Sequence, residues 1–234
     1  GISLTNSLGE LVPTAVAYYA ATNTAVLTPN SWLALSNTYT VVVANGVTGV
    51  KDVAGNALTN VFTASFTTTD QVSYSIWAAS AIPTNQSASD QNATEVGLKF
   101  RSATNGYVTA IRFYKGAGNN GPHTGTLWAS DGTPLSSVSF SGETDSGWQQ
   151  RALPSPVPIN ADTTYVVSYH APVGRYAVNS GYFTTSGVTN YPLRALANGE
   201  DGPNGVYIYS EDSAFPNQTY NSANYWVDVV FTAG

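Results

Sequence analysis

Two histidines, His123 and His170, are the chain's only imidazoles, and there is no cysteine. General acid–base, nucleophilic or metal-assisted catalysis needs such groups beside a nucleophile, a spaced carboxylate pair or an open coordination position. The chain has no G-x-S-x-G elbow, no H-E-x-x-H pair and no glycine-rich phosphate loop. His123 sits in a Gly/Asn-rich loop before a strand pattern, and His170 ends a strand pattern beside Pro172. Each imidazole is expected to hydrogen-bond loop backbone; the sharper alternative has the two converging on one metal or ligand. Acidic pairs at Glu143/Asp145, Glu200/Asp201 and Glu211/Asp212 supply the residue types of a glycosidase. Their Gly and Ser neighbours instead mark solvated turns. An enzyme is not expected.

Hard oxygen ligands would suit calcium better than catalysis. One structural calcium ion, tying an early strand to the last, would draw on Glu95 and Asp228 together with loop carbonyls. Strand parity sets Asp228 between Trp226 and Val230 on a largely apolar face, and a buried carboxylate must be paired or metal-bound. Arg112 or Arg101 is the competing partner. A sugar-binding surface needs exposed aromatic faces with amides and carboxylates at the rim. Tyr207 and Tyr209, Tyr182 and Phe183, Tyr191, Tyr220 and Trp148 lie in or beside loops rich in Asn, Asp and Gly, while Trp128 and Trp226 fall inside strand patterns and read as packing. The expected ligand contacts are Tyr207, Tyr209, Tyr182 and Trp148, with His123 and His170. Asn85, Asn92 and Asn217 begin glycosylation-type triplets, which arise by chance in so Asn- and Thr-rich a chain.

The elements that must carry these residues are strands. Helical periodicity is nearly absent, whereas short alternating or β-branched runs recur between Gly, Pro, Asn and Asp. Strands are expected at Ile2–Thr5, Ala15–Tyr19, Ala25–Thr28, Thr38–Val43 and Val61–Thr67. A second set runs Tyr74–Trp77, Glu95–Arg101, Gly106–Tyr114, Gly125–Trp128, Ser136–Phe140, Trp148–Leu153, Thr164–His170, Tyr176–Val178, Gly205–Tyr209 and Tyr225–Phe231. Parity puts Tyr225, Val227, Val229 and Phe231 on one face, and in Gly205–Tyr209 it puts Val206 and Ile208 inside with Tyr207 and Tyr209 outward. Helical turns are expected only at Ser31–Leu35 and Pro192–Ala197, the latter stopped by Gly199. The pattern changes after Thr67-Thr68-Thr69-Asp70, so the chain divides into 1–70 and 71–234.

Composition narrows the partners. At 234 residues, 42% hydrophobic and 12% aromatic, there is enough apolar material for two packed cores despite only 9% charged residues. A net charge of -6, with eight Lys and Arg and no basic run, argues against nucleic acid. No apolar run is long enough to span a bilayer, so membrane insertion is not expected. Absence of both Cys and Met fits an exposed, oxidising setting, and the chain reads as secreted or cell-surface.

The stretch Ala15–Asp70, with Tyr39-Thr40-Val41, the loop Asp52-Val53-Ala54-Gly55-Asn56-Ala57-Leu58 and then Ser65-Phe66-Thr67-Thr68, resembles the bacterial Ig-like domains of surface proteins and secreted hydrolases. Those domains carry two more strands ahead of the point matching Gly1-Ile2, so this copy reads as a partial sandwich with unpaired edges and an uncovered core. An upstream segment, a neighbouring molecule or a rearranged edge is expected to fill the space.

From Tyr74 to Phe231 the chain resembles the bacterial family called domain of unknown function 4082. The likeness rests on Glu95–Phe100, Gly106–Lys115, His123–Trp128, Gly147–Gln150, Tyr169–Pro172, Asp201–Tyr207 and Asn224–Phe231. What it implies is a jelly-roll-like sandwich similar to carbohydrate-binding modules, appended to multidomain secreted proteins. The whole chain is therefore expected to be all-β: an Ig-like partial sandwich, then a jelly-roll-like one. Its expected role is a non-catalytic extracellular module that binds a polysaccharide or glycan. The alternative is a structural or adhesive repeat that assembles with neighbouring subunits by strand complementation.

Overall fold

The computed structural model describes residues 1–31, 33–68 and 72–234, and the protein is all-β. It divides into two compact units, Gly1–Gln71 and Val72–Gly234. The expected change of pattern at Thr69-Asp70 and the Trp32 position of the Ser31–Leu35 segment lie outside the described residues.

The first unit is built from β1 (Ile2–Thr5), β2 (Leu11–Val12), β3 (Thr14–Tyr19), β4 (Thr24–Pro29), β5 (Thr38–Val43) and β6 (Phe62–Thr67). Four of these form an antiparallel sheet in the order β2-β1-β5-β6, and β3 pairs with β4 as a separate hairpin. Tyr39 stands opposite Phe66 and stacks on it at 5.9 Å, the cross-strand aromatic pair that such β-rich runs favour. The Asp52 loop closes on its own side chain. Asp52 Oδ1 accepts from the Ala54 and Asn56 amides at 2.9 and 2.8 Å, Oδ2 accepts from Asn56 Nδ2 at 2.9 Å, and Gly55 takes the left-handed turn at φ 88°. Among the described residues only two hydrophobic side chains of this unit, Leu4 and Tyr39, are buried, and every residue of β6 is exposed. The sheet is a partial sandwich.

The second unit contains β7 (Ser73–Tyr74), β8 (Thr94–Ser102), β9 (Gly106–Lys115), β10 (Thr124–Ala129), β11 (Pro134–Ser139), β12 (Gly147–Ile159), β13 (Tyr165–Ala171), β14 (Val188–Asn190), β15 (Leu193–Ala195), β16 (Val206–Tyr209), β17 (Gln218–Thr219) and β18 (Val227–Ala233). One sheet runs β11-β10-β13-β8-β15-β14 and the other β12-β9-β18-β7, all pairs antiparallel. Strand β8 shares one edge between two partners: β15 pairs with Phe100–Ser102, and β16, itself paired to β17, with Thr94–Gly97. Alternate residues of the two sheets meet in one core, with Val96, Leu98 and Phe100 facing Ile111, Phe113, Val227 and Val229. At its centre Phe113 stacks on Tyr169 at 4.2 Å and meets Phe140 edge-on at 4.9 Å.

Several expected elements fall differently. Pro192–Ala197 is not helical: Leu193–Ala195 is a strand whose buried Leu193 and Ala195 alternate with Arg194 at a period of two. Tyr176–Val178 is loop, with a single bridge from Val178 to Asn85. The pairing of Tyr74 stops before Ile76 and Trp77, because their amides donate to the Asp228 carboxylate. Strand β18 starts at Val227 because Trp226 takes φ 54°, a conformation no ladder accommodates. Val206 and Ile208 do not face the core. Val206 packs with Trp128, Val166 and Phe215 on the outer face of the larger sheet, and Tyr207 leans on the core edge. That outer face is covered in turn by the Ser210–Pro216 loop, where Phe215 meets Trp128 at 5.6 Å.

Candidate functional site

Five tyrosines and one carboxylate gather at the edge of the second sandwich. Tyr207 lies opposite Val96 and Tyr209 opposite Thr94, so both project to the core side of the sheet where the core ends. Tyr225 precedes β18 and, at 3% exposure, forms the floor. Tyr176 comes from the loop after β13 and Tyr220 from the loop after β17; Tyr220 is 62% and Tyr209 51% exposed. With Asp90 these rings line a cleft of about 390 Å³, within the size range of small-molecule sites. Tyr176 meets Tyr225 at 5.4 Å and Tyr207 meets Tyr209 at 5.6 Å, both near perpendicular, which gives the cleft angled aromatic walls.

Asp90 organises the polar atoms. Its Oδ2 accepts the phenol protons of Tyr209 at 2.7 Å and Tyr176 at 3.1 Å. Its Oδ1 accepts from Asn92 N and Nδ2 at 3.0 and 2.9 Å. Burial pushes the carboxyl upward, but the Asn92 amide and the phenols outweigh it, leaving Asp90 below its ordinary value and ionised. The bond to Asp90, followed by burial, pushes the Tyr209 phenol up to about 12. Burial, then the Asp90 charge, raises Tyr176 as well. The supporting loops touch backbone to backbone: the Asp90 carbonyl accepts from Arg175 N at 2.8 Å, and a Cβ at Gly174, where φ is 62°, would meet that same carbonyl oxygen at 2.6 Å.

Tyr209 is also one wall of an adjoining trough of about 680 Å³ lined by Gln91, Asn92, Pro172, Ser210 and Glu211. The two hollows differ in chemistry. The cleft offers aromatic faces, and the trough offers side-chain amides, a hydroxyl and a carboxylate.

Of the residues expected to form a site, Tyr207, Tyr209 and Tyr220 come together here. Tyr182 and Trp148 do not. They belong to an aromatic cover on the outer face of the smaller sheet, where Trp77 Nε1 donates to the Tyr182 hydroxyl at 3.2 Å and Trp148 Nε1 to the Ala81 carbonyl at 2.9 Å. Phe183 is fully buried, and Tyr191, 68% exposed, borders a separate hollow beside Arg101 and Arg194. Asp90, Tyr176 and Tyr225 escaped the sequence reading. The pattern reads Tyr176 as strand and Tyr225 as core face, where Tyr225 is indeed buried, and the only local signal for Asp90 is an Asp-x-Asn turn.

The histidines do not converge. His123 faces inward against Phe113 at 4.8 Å, and its Nδ1 lies 2.8 Å from Glu143, itself paired to Lys115 at 2.9 Å, while Nε2 meets the Asn119 side-chain amide at 2.9 Å. These are side-chain partners, not the loop backbone expected. His170 points to the outer face on β13, 3.7 Å from Glu95 Oε2 and beneath the loop that carries Glu211 and Asp212. Burial holds both imidazoles below their ordinary value.

Glu95 and Asp228 are likewise apart. Glu95 alternates with the core residues Val96 and Leu98 in the larger sheet, and Asp228 with Val227 and Val229 in the smaller one, so they stand on opposite outer faces. One ion does not bridge them. Asp228 is satisfied instead by Arg112 and by the Ile76, Trp77 and Val229 amides. Glu95 Oε1 accepts from Ser168 Oγ at 2.5 Å, and Ser168 Oγ accepts from Trp128 Nε1 at 2.7 Å. Among the described residues no group of three His, Asp or Glu side chains is placed to hold a metal ion.

The architecture defines a bacterial-type β-sandwich protein: an Ig-like partial sandwich followed by a jelly-roll-like one, with a tyrosine cleft on the second. By comparison with known families, the chain belongs to the family described as domain of unknown function (DUF4082), which matches residues 80–227. Residues 1–68 match the bacterial Ig-like domain. No curated protein matches the chain. No helix among the described residues is long and apolar enough to cross a membrane.

Proposed function

We propose that this chain is a non-catalytic, extracellular carbohydrate-binding module whose ligand rests in the tyrosine cleft. The observation that carries the reading is the convergence of Tyr176, Tyr207, Tyr209, Tyr220 and Tyr225 around Asp90. Flat apolar rings stack on the C–H faces of pyranoses, and the amides of Gln91 and Asn92 next door suit ring hydroxyls. The surface poor in Lys and Arg, the lack of cysteine and the Ig-like neighbour support an extracellular setting. The test is affinity electrophoresis and calorimetry against a panel of soluble polysaccharides. Binding should weaken roughly tenfold or more in Tyr209→Ala and Tyr220→Ala, the loss of one good stacking partner. Because both rings are exposed, melting temperatures should stay close to wild type. A panel with no binder would remove the reading.

A second reading is favoured by the first unit, in which, among the described residues, β6 ends the sheet without a further partner strand and large apolar side chains such as Val16, Phe62 and Phe66 are exposed. Such an edge is a template for a strand contributed by another segment or molecule, as in a structural or adhesive repeat. Light scattering over a concentration series tests it. Growth of oligomers that a Thr63→Pro change suppresses would support it, and a monomer at all concentrations would count against assembly.

A further inference from the structure

The carbohydrate-binding reading leaves the charge of the sugar open, and the cleft's hydrogen-bond polarity bears on it. Two of the five phenol protons are spent on Asp90: Tyr209 donates at 2.7 Å and Tyr176 at 3.1 Å to the same oxygen. A phenol has one proton, so toward a ligand these hydroxyls present lone pairs alone. The other Asp90 oxygen is occupied by two Asn92 donors, so the carboxylate is held ionised in place without facing the ligand as a bare charge. Around Asp90 the lining therefore presents acceptors, made more negative by the charge behind them, with five ring faces about it, while the Ser89, Tyr207, Tyr220 and Tyr225 hydroxyls can donate as well as accept. Among the described residues no Lys or Arg lines either the cleft or the trough, and their charged residues are Asp90 and Glu211.

Each of these features favours the same ligand chemistry. Aromatic faces attract cations through their quadrupoles, most strongly where water is thinned. Phenol lone pairs need donors, which an ammonium supplies threefold. A carboxylated or sulfated sugar would meet two like charges and no compensating cation. Resting on the carbohydrate reading, we infer that the cleft is selective for a saccharide bearing a free ammonium, an amino sugar, seated among the tyrosines. The neighbouring sugar residues cross the Tyr209 ridge into the trough, where the Gln91 and Asn92 side-chain amides supply further donors.

The test is calorimetry of the full chain with three probes: a glucosamine trimer, its fully N-acetylated counterpart and a galacturonic acid trimer. The glucosamine trimer should bind roughly tenfold or more tighter than the acetylated one, with the acidic trimer weakest. Added salt should weaken the first far more than the second. Asp90→Asn should reduce the preference, whereas Tyr209→Phe, which keeps the ring and the charge and frees Asp90 of one donor, should keep or raise it; a preference lost in Tyr209→Phe would count against the inference. Acetylated and cationic trimers bound equally, and both lost in Tyr209→Ala, would overturn the inference while leaving the carbohydrate reading standing. Binding of none of the three, together with a polysaccharide panel devoid of binders, would overturn both.

Discussion

Arg112 Nη2 and Asp228 Oδ2 lie 2.8 Å apart on neighbouring strands, with the Asp228 side chain fully buried. Arg112 also bonds the Trp77 carbonyl and lies 4.3 Å over the Trp148 ring. Burial by itself pushes the Asp228 carboxyl upward. Yet Arg112 Nε and Nη2 and the Ile76, Trp77 and Val229 amides all donate to its two oxygens, so the geometry is built for the carboxylate. The pair thereby fastens the Ser75–Trp77 segment to the outer face of the smaller sheet.

Arg112→Met should therefore cost about 3–5 kcal/mol, because it strands a buried charge. Adding Asp228→Leu removes that charge but also takes the acceptor from the Ile76, Trp77 and Val229 amides, so it should recover at most part of this. Urea denaturation of the two variants measures both. Full recovery in the double variant would mean that the amides find other partners.

Glu95 makes stability depend on pH in the opposite sense to an ordinary ion-paired carboxylate. Burial raises its value from 4.5 to about 7. Below pH 4.5 both folded and unfolded chains hold the proton; between 4.5 and about 7 the unfolded chain releases it first, so folding stability falls as pH rises, by something on the order of 3 kcal/mol. His170, 3.7 Å away and lowered by burial, contributes a smaller opposite slope up to pH 6.5, and Asp212 and Glu211 act on it from the covering loop. Comparing wild type with Glu95→Gln isolates the carboxyl. The variant's relative melting temperature should climb from pH 4.5 to 7 and then level off; a difference independent of pH would show that Glu95 does not hold its proton.

Alternation made the long strands readable, since Glu95–Arg101 and Val227–Phe231 place one residue in two in a single core. It could not say which face of a strand is covered when both are. Val206 lies under Phe215 and Trp128, Tyr207 lies on the core side, and parity alone gives the same pattern with the faces exchanged. The short strand Leu193–Ala195 was hidden for a different reason: three residues are too few to separate a period of two from a helical turn. Half of the tyrosine cleft was legible in Tyr207, Tyr209 and Tyr220, which sit beside turn residues. Asp90 was not, because its partners Tyr176 and Tyr209 are 86 and 119 residues away in the chain.

Gly174 lets the Tyr176 loop pass against the Asp90 loop. Gly174→Ala puts a Cβ 2.6 Å from the Asp90 carbonyl oxygen and forces a side chain into φ 62°, together worth about 1–3 kcal/mol of destabilisation. The Arg175–Asp90 backbone bond should give way, moving Tyr176 off the carboxylate. Ligand affinity should then fall more than in an equally destabilised core variant such as Val229→Ala, which leaves the cleft untouched. Equal losses in the two would place the effect in global stability.

The first unit should unfold separately and at lower temperature. Of its described hydrophobic side chains, two are buried, whereas the second unit buries a core spanning both of its sheets. Hydrophobic burial is the main favourable contribution to folding, so a sheet with so little of it has a shallow free-energy minimum. Calorimetry of the full chain should resolve two transitions. Leu4→Ala, which removes one of the two buried side chains at a typical cost of about 2–5 kcal/mol, should abolish or strongly lower the first and leave the second in place. If a strand supplied from another molecule completes the sheet at β6, the first transition should also rise with protein concentration, since anything that binds the folded state alone stabilises it by mass action. A single transition that Leu4→Ala moves as a whole would instead make the two units one cooperative body.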